Sequence, residues 1–208
     1  MSGFDAILFD FDGVLIDSEP MHCACWAEVL APLGAVLDWE WYREHAIGID
    51  DRDMLRVIAA RPEPPLDWER LWERYPAKRE LFRVRMLGHP PFPAFLPGLL
   101  EELRPDYRMA VVTSSSRGEI EPLLETGGLR QFFDTLVCAR DAERHKPAPD
   151  PYLLAARLLE ARRPLVVEDS EAGIASGRAA GFEVLAVTHP SELQDLLRRR
   201  LSGAFAAG

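Results

Sequence analysis

The sequence predicts an α/β protein: a parallel sheet covered on both faces by helices, with an all-helical insertion after the first strand. Three observations carry that prediction. Short apolar runs end abruptly in acid or hydroxyl residues, as in Ala6-Ile7-Leu8-Phe9 before Asp10 and Leu165-Val166-Val167 before Glu168. Helical patterns with readable ends alternate with these runs, the signature of parallel strands joined by right-handed crossovers. Residues 19 to about 90 contain no strand-like run and hold all five tryptophans, Trp26, Trp39, Trp41, Trp68 and Trp72.

The first strand is Ala6–Phe9, and the chain then turns through Asp10-Phe11-Asp12-Gly13-Val14. The insertion opens with a helix from Met21-His22-Cys23-Ala24-Cys25-Trp26 through Leu33, and amphipathic pieces follow Trp39, Asp50 and Asp67. Pro62-Glu63-Pro64-Pro65 divides it and Pro90-Pro91-Phe92-Pro93 closes it. The expected domains are 1–17 with 91–208, and 18–90, joined by linkers near 13–18 and 90–97 that can act as a hinge. Met109-Ala110-Val111-Val112 is the next strand, ending in Thr113-Ser114-Ser115-Ser116. Ser116-Arg117-Gly118-Glu119 fits a capping box, and Gly127-Gly128 stops that helix. Leu136–Ala139 is a strand. Asp150-Pro151 reads as an N-cap and first helical position opening a helix over 151–161. Leu165–Val167 and Val184–Val187 are the last strands, with a helix from about Glu171 to Gly181 between them and a further capping box at Ser191-Glu192-Leu193-Gln194.

The chain has 208 residues and is 48% hydrophobic, enough for a sizeable core domain with a large insertion. Its formal net charge of −10 excludes a nucleic-acid partner or an anionic membrane surface as the expected target. The one basic run, Arg198-Arg199-Arg200, is expected at a helix end, where it complements the macrodipole. Three cysteines (Cys23, Cys25, Cys138) form no disulfide framework. With no charged leader before an apolar run and no spanning stretch, the expectation is a cytoplasmic protein with no membrane contact, and a monomer.

Four polar clusters fall at or near strand ends: Asp10/Asp12, Thr113/Ser114, Lys146 and Glu168/Asp169. Open parallel sheets bind ligands at that edge. Carboxylates gathered there need positive charge beside them. A carboxylate nucleophile approaching a dianionic phosphate is repelled by roughly 1–4 kcal/mol per charge pair about 4 Å apart. A divalent cation and a lysine ammonium both cancel that repulsion, so the residue types suit phosphoryl transfer. Each cluster alone has a plainer reading. Asp10-Phe11-Asp12-Gly13 could begin an EF-hand loop, but its third acidic ligand and flanking helices are missing. Glu168-Asp169 could simply favour a helix N-terminus, Lys146 could be a surface lysine, and Thr113–Ser116 could be turn chemistry.

In order and spacing, Asp10-Phe11-Asp12-Gly13-Val14, Val111-Val112-Thr113, Lys146-Pro147-Ala148-Pro149-Asp150-Pro151 and Glu168-Asp169-Ser170-Glu171-Ala172-Gly173-Ile174 resemble the four motifs of the haloacid dehalogenase superfamily. The resemblance covers nearly the whole chain. It implies a Rossmann-like three-layer core with an inserted helical cap, and a Mg²⁺-dependent phosphatase acting on a small phosphate ester, expected to be a sugar phosphate. By that resemblance Asp10 is the nucleophile that becomes an aspartyl-phosphate. Asp12 protonates the leaving oxygen and then activates water, and Thr113, Ser114 and Lys146 hold the phosphate. Asp10, the Asp12 carbonyl and Asp169 ligate Mg²⁺, with Glu168 supporting directly or through water.

The segment Asp17-Ser18-Glu19-Pro20-Met21-His22 resembles the entry to the cap in sugar-phosphate phosphatases and β-phosphoglucomutase. His22 falls where the mutase carries a cap-side histidine linked to proton handling, and Lys78 falls near a cap lysine that reaches the substrate. Against the mutase, the loop Gly48-Ile49-Asp50-Asp51-Arg52 carries Asp51 where the mutase has an arginine gripping a second phosphate. Arg52 would substitute only with a one-residue shift. Hydrolysis is therefore the expectation and a β-phosphoglucomutase-like phosphomutase the alternative. A dehalogenase would need no cation site, and a silent phosphate sensor would not need all of Asp10, Asp12, Lys146 and Asp169. His22 with Cys23 and Cys25 is not read as a metal site, because helix residues two apart point about 200° apart. The tryptophans are expected to form the insertion's core, and Asp17 to cap or brace the first linker.

Overall fold

The computed structural model describes residues 3–47 and 49–202, so Gly48 of the loop singled out above lies outside the described residues. The chain divides into two units, one taking the chain up to Asp17 and from Pro90 onward, the other Ser18–His89.

The first unit is built on a five-stranded parallel sheet of β1 (Ala6–Phe9), β2 (Arg108–Val112), β3 (Thr135–Val137), β4 (Pro164–Glu168) and β5 (Glu183–Ala186). Its strand order is β3-β2-β1-β4-β5, so β1 is central and the winding direction reverses between β1 and β4. All four residues of β1 and all five of β4 are buried, as expected for strands covered on both faces. The pleat sends Ala6 and Leu8 to one face, where Ala110, Val112, Val166, Tyr152 and Ala155 complete a core. Phe9 points to the other face and meets Phe133 edge-on at 6.1 Å.

With helices numbered along the whole chain, this unit holds α6 (Leu96–Leu103), α7 (Arg117–Thr126), α8 (Asp150–Leu158), α9 (Glu171–Ala179) and α10 (Leu193–Leu201). Right-handed crossovers put α6 and α7 on one face and α8 and α9 on the other, because the winding reverses. The capping box at Ser116 forms, its amide and hydroxyl both donating to Glu119. Two expected caps differ. Asp150 is the first residue of α8 rather than its cap, since its carboxylate pairs with Arg144. That helix also stops at Leu158, and Glu160 takes a left-handed φ of 53°. Ser191 lies inside a 3-10 turn whose cap is His189, accepting from the Ser191 amide. His189 also reaches Asp17 at 3.2 Å, which is the brace on the first linker.

The second unit is helical throughout its regular structure: α1 (Glu19–Leu30), α2 (Trp39–His45), α3 (Asp51–Ala60), α4 (Trp68–Trp72) and α5 (Tyr75–Gly88). Asp38, Asp50 and Asp67 each cap the next helix by accepting a backbone N–H. Its core is centred on the fully buried Trp26 with Leu30, Leu55 and Ile58, and Trp41, Trp68 and Trp72 pack against it. Trp39 is 40% exposed and is not part of that core. Among the described residues, no helix is long and apolar enough to cross a membrane.

Candidate active site

Asp10 follows the last residue of the central strand, and its amide donates to Val167 O at 2.9 Å, continuing the ladder to β4. That geometry places Asp10 beside the end of β4, where Glu168 and Asp169 stand, at the point where the winding reverses. Asp10, Glu168 and Asp169 bring carboxylate oxygens within 4.8 Å of one another. Lys146, from the segment between β3 and α8, places Nζ 2.5 Å from Asp10 Oδ1, 2.7 Å from Glu168 Oε1 and 2.9 Å from Val112 O. Its ammonium has three N–H groups, and these three acceptors use them all.

Glu168 is fully buried, and both its oxygens are committed. Oε1 accepts from Lys146 and from the Tyr152 hydroxyl at 2.9 Å. Oε2 accepts from the amides of Asp169 and Ser170 and from the Ser170 hydroxyl, each at 3.0 Å. Two glycines make room for the acids. A Cβ at Gly13 would overlap the Asp169 carboxylate, and one at Gly173 would overlap that of Glu168.

Burial and the short supply of positive charge set the protonation states. Burial pushes Asp10 well above the usual carboxylate range; Lys146 opposes this, while Glu168 and Asp12 add to it. Burial would also raise Glu168, but Lys146 and the donors around it hold it below its ordinary value. Asp169 is pushed up to about 6 by burial and by the charge on Glu168. Burial would lower Lys146, yet Asp10 and Glu168 keep its proton on. Tyr152, buried beside these acids, is pushed far up and stays a donor. One ammonium thus faces more carboxylates than it can balance. The donors are hard oxygens gathered at one point, which fits a Mg²⁺ ion.

Thr113 follows β2, buried, with Oγ1 accepting from the Ser115 amide at 3.0 Å. Ser114 is exposed on the turn that follows. Asp12 is exposed, and the Ser115 hydroxyl donates to its Oδ2 at 3.2 Å. Asp10, Asp12, Thr113, Lys146, Glu168 and Asp169 therefore occupy one edge of the sheet. Sequence reasoning missed Tyr152 and the particular part played by Ser115. Tyr152 has a faint signal, an aromatic two residues after Asp150 in the segment that follows Lys146, but an aromatic inside an apolar helix reads as core.

A family model described as haloacid dehalogenase-like hydrolase matches residues 7–187. The chain belongs to the haloacid dehalogenase-like hydrolases. Among relatives of this hydrolase, the fructose-1-phosphate phosphatase YqaB of Escherichia coli is 33% identical over 187 residues, covering 88% of this chain and 96% of that protein. The phosphorylated carbohydrates phosphatase of Thermotoga maritima is 26% identical over 193 residues, covering 89% and 86%. A hydrolase of Streptococcus pneumoniae of known structure shares the hydrolase's fold, with a TM-score of 0.75 at 22% identity over 94% of this chain and 98% of that one.

The helical unit of the hydrolase brings His22 and Lys78 together but not Arg52. Lys78 is 3% exposed; Nζ donates to His22 Nδ1 at 2.7 Å and lies 3.6 Å from Asp51 Oδ2. Burial and the Lys78 charge bring the His22 pKa down to about 4, so the ring is neutral and accepts. Burial likewise lowers Lys78, against the pull of Asp51. Asp51 also accepts from Trp26 Nε1 at 2.9 Å. Arg52 is exposed, its guanidinium 4.7 Å over the Trp72 ring.

Proposed function

We propose that this hydrolase cleaves a small phosphomonoester, of the phosphorylated-sugar class, in a Mg²⁺-dependent reaction through an aspartyl-phosphate on Asp10. The observation that carries the proposal is the convergence of Asp10, Glu168, Asp169 and Lys146 at the edge of the central strands. The carbohydrate-phosphate phosphatases among its relatives support the substrate class. Asp10, Asp169 and the Asp12 carbonyl would hold Mg²⁺, whose charge, when bound, keeps Asp10 ionised and offsets that of the phosphoryl group. Glu168 has both oxygens in hydrogen bonds, so its part is to orient Asp169 and Lys146.

In the first half-reaction a carboxylate oxygen of Asp10 attacks phosphorus and the bond to the ester oxygen breaks. Asp12, steadied by Ser115, gives its proton to that oxygen. In the second, Asp12 takes a proton from water, the resulting hydroxide attacks phosphorus, and the acyl-phosphate bond breaks to return Asp10 and release phosphate. Thr113, Ser114 and Lys146 hold the phosphoryl oxygens, and Lys146 stabilises the charge that spreads over them. His22, Lys78 and Arg52 are the helical unit's candidates for recognising the rest of the substrate.

A β-phosphoglucomutase-like phosphomutase is the second reading, favoured by the Lys78–His22 pair. A mutase must retain a second phosphate while its intermediate reorients. Asp51 stands where the mutase has the arginine that grips that phosphate, and it lies 3.6 Å from Lys78, which favours hydrolysis.

The test is phosphate release across sugar phosphates, nucleotides and glycolytic acids, with Mg²⁺ and with chelator. β-Glucose 1-phosphate is run with a bisphosphate primer and a readout for isomerised product. Free phosphate that requires Mg²⁺ and is lost in Asp10→Asn is expected. Isomerised product with little free phosphate would establish the mutase, and full activity in Asp10→Asn would remove Asp10 from its role.

A further inference from the structure

Tyr152 has no part in the reaction written above, yet its hydroxyl is hydrogen-bonded inside the proposed site. The side chain is fully buried in the core that Leu8, Val112 and Val166 form on one face of the sheet. Its ring centroid lies 5.0 Å from Lys146 Nζ, and its hydroxyl donates to Glu168 Oε1 at 2.9 Å. That oxygen has two donors, Tyr152 and Lys146. The other Glu168 oxygen is filled by Asp169 and Ser170. Gly173 closes another side, because its missing Cβ is the space Glu168 occupies. Glu168 is therefore pinned, and what can still vary is how strongly it draws Lys146.

We propose that Tyr152 is a positioning residue: its hydroxyl takes up part of the acceptor strength of Glu168 Oε1, which leaves Lys146 shared with Asp10 and able to turn to the phosphoryl group. The inference rests on the hydrolase reading above. Without the hydroxyl, Lys146 is the one donor left to Oε1 among the described residues. The fully buried carboxylate then draws the ammonium toward itself and away from Asp10 and the phosphate. The ring remains as a floor beneath the ammonium in Tyr152→Phe, so that variant isolates the hydroxyl and keeps the core volume.

A core role for the tyrosine predicts something different. There the hydroxyl merely satisfies itself on the nearest acceptor, and its loss lowers the melting temperature and leaves turnover alone. Steady-state phosphate release by wild type and Tyr152→Phe, with a Mg²⁺ titration and a melting curve for each, separates the two. Positioning predicts that kcat falls about tenfold while KM and the Mg²⁺ requirement stay within about twofold, because Lys146 acts chiefly on the transition state. Wild-type kcat in Tyr152→Phe, with or without a lower melting temperature, overturns the inference. So does a raised KM at unchanged kcat. Wild-type protein that releases no phosphate on any ester would instead sink the hydrolase reading, and this inference with it.

Discussion

At Gly13 the backbone takes φ +76°, and a Cβ placed there would overlap the Asp169 carboxylate. Both facts come from one requirement. The chain must turn sharply after Asp12 while an acid from the neighbouring strand's end packs against the turn. Gly13→Ala would cost about 1–2 kcal/mol for the left-handed backbone and would also displace Asp169. A shift of about 1 Å in a reacting group costs on the order of 100-fold, so phosphate release should fall by about that much while the circular dichroism spectrum stays native. Near-wild-type turnover in Gly13→Ala would mean that Asp169 is not needed where it stands. Asp10, Asp12 and Asp169 were legible as candidates because each follows or flanks an apolar run, and Lys146 through the Pro147-Ala148-Pro149 segment beside it, all local signals. Tyr152 was not, because its partner Glu168 is 16 residues away and only packing brings them together.

Helix α1 carries His22 and Trp26 four residues apart, and α5 carries Lys78 and Phe82 at the same spacing, so each pair shares a helix face. The faces meet. The His22 and Phe82 rings stack at 3.9 Å, and Lys78 Nζ lies 5.3 Å from the Trp26 centroid. The charged groups facing His22 there are Lys78 and Asp51. Burial and Lys78 lower its pKa from 6.5 to about 4. Between those values the unfolded chain binds a proton that the folded one does not. Stability therefore falls as pH drops from about 6.5 to about 4, and this contribution is fully present only above that window. Urea unfolding followed by tryptophan emission should show that decline, with a shallower one in His22→Gln. Equal slopes in the two proteins would mean that His22 titrates normally. The sequence marked His22 and Lys78 as separate candidates, but their pairing and the closing of Lys78 onto Asp51 depend on how α1, α3 and α5 pack.

All five tryptophans lie within Ser18–His89, whereas the candidate phosphate and Mg²⁺ residues lie in the other unit. Tryptophan emission is therefore a reporter of the helical unit alone. If that unit serves as a cap that closes over bound phosphate, adding Mg²⁺ and a phosphate analogue to the wild-type protein should change the emission. An unchanged spectrum together with unchanged small-angle scattering would count against a moving cap. Such a division of labour would have a physical basis: a buried parallel sheet offers a rigid edge for charged groups, and the exposed faces of the helical unit can vary their side chains without disturbing that edge.

Local sequence by itself determined the parallel α/β class, the helical stretch between its strands and the acids at the strand ends. These depend on apolar periodicity, caps and turn residues within a few positions of one another. Only the tertiary structure decided that one lysine serves Asp10, Glu168 and Val112 O at once, that Tyr152 shares Glu168 with it, and that Asp51 sits against Lys78. The physical reason is range. A hydrogen bond or charge pair acts across a few ångströms of space, and residues tens of positions apart come that close only when helices and strands have packed.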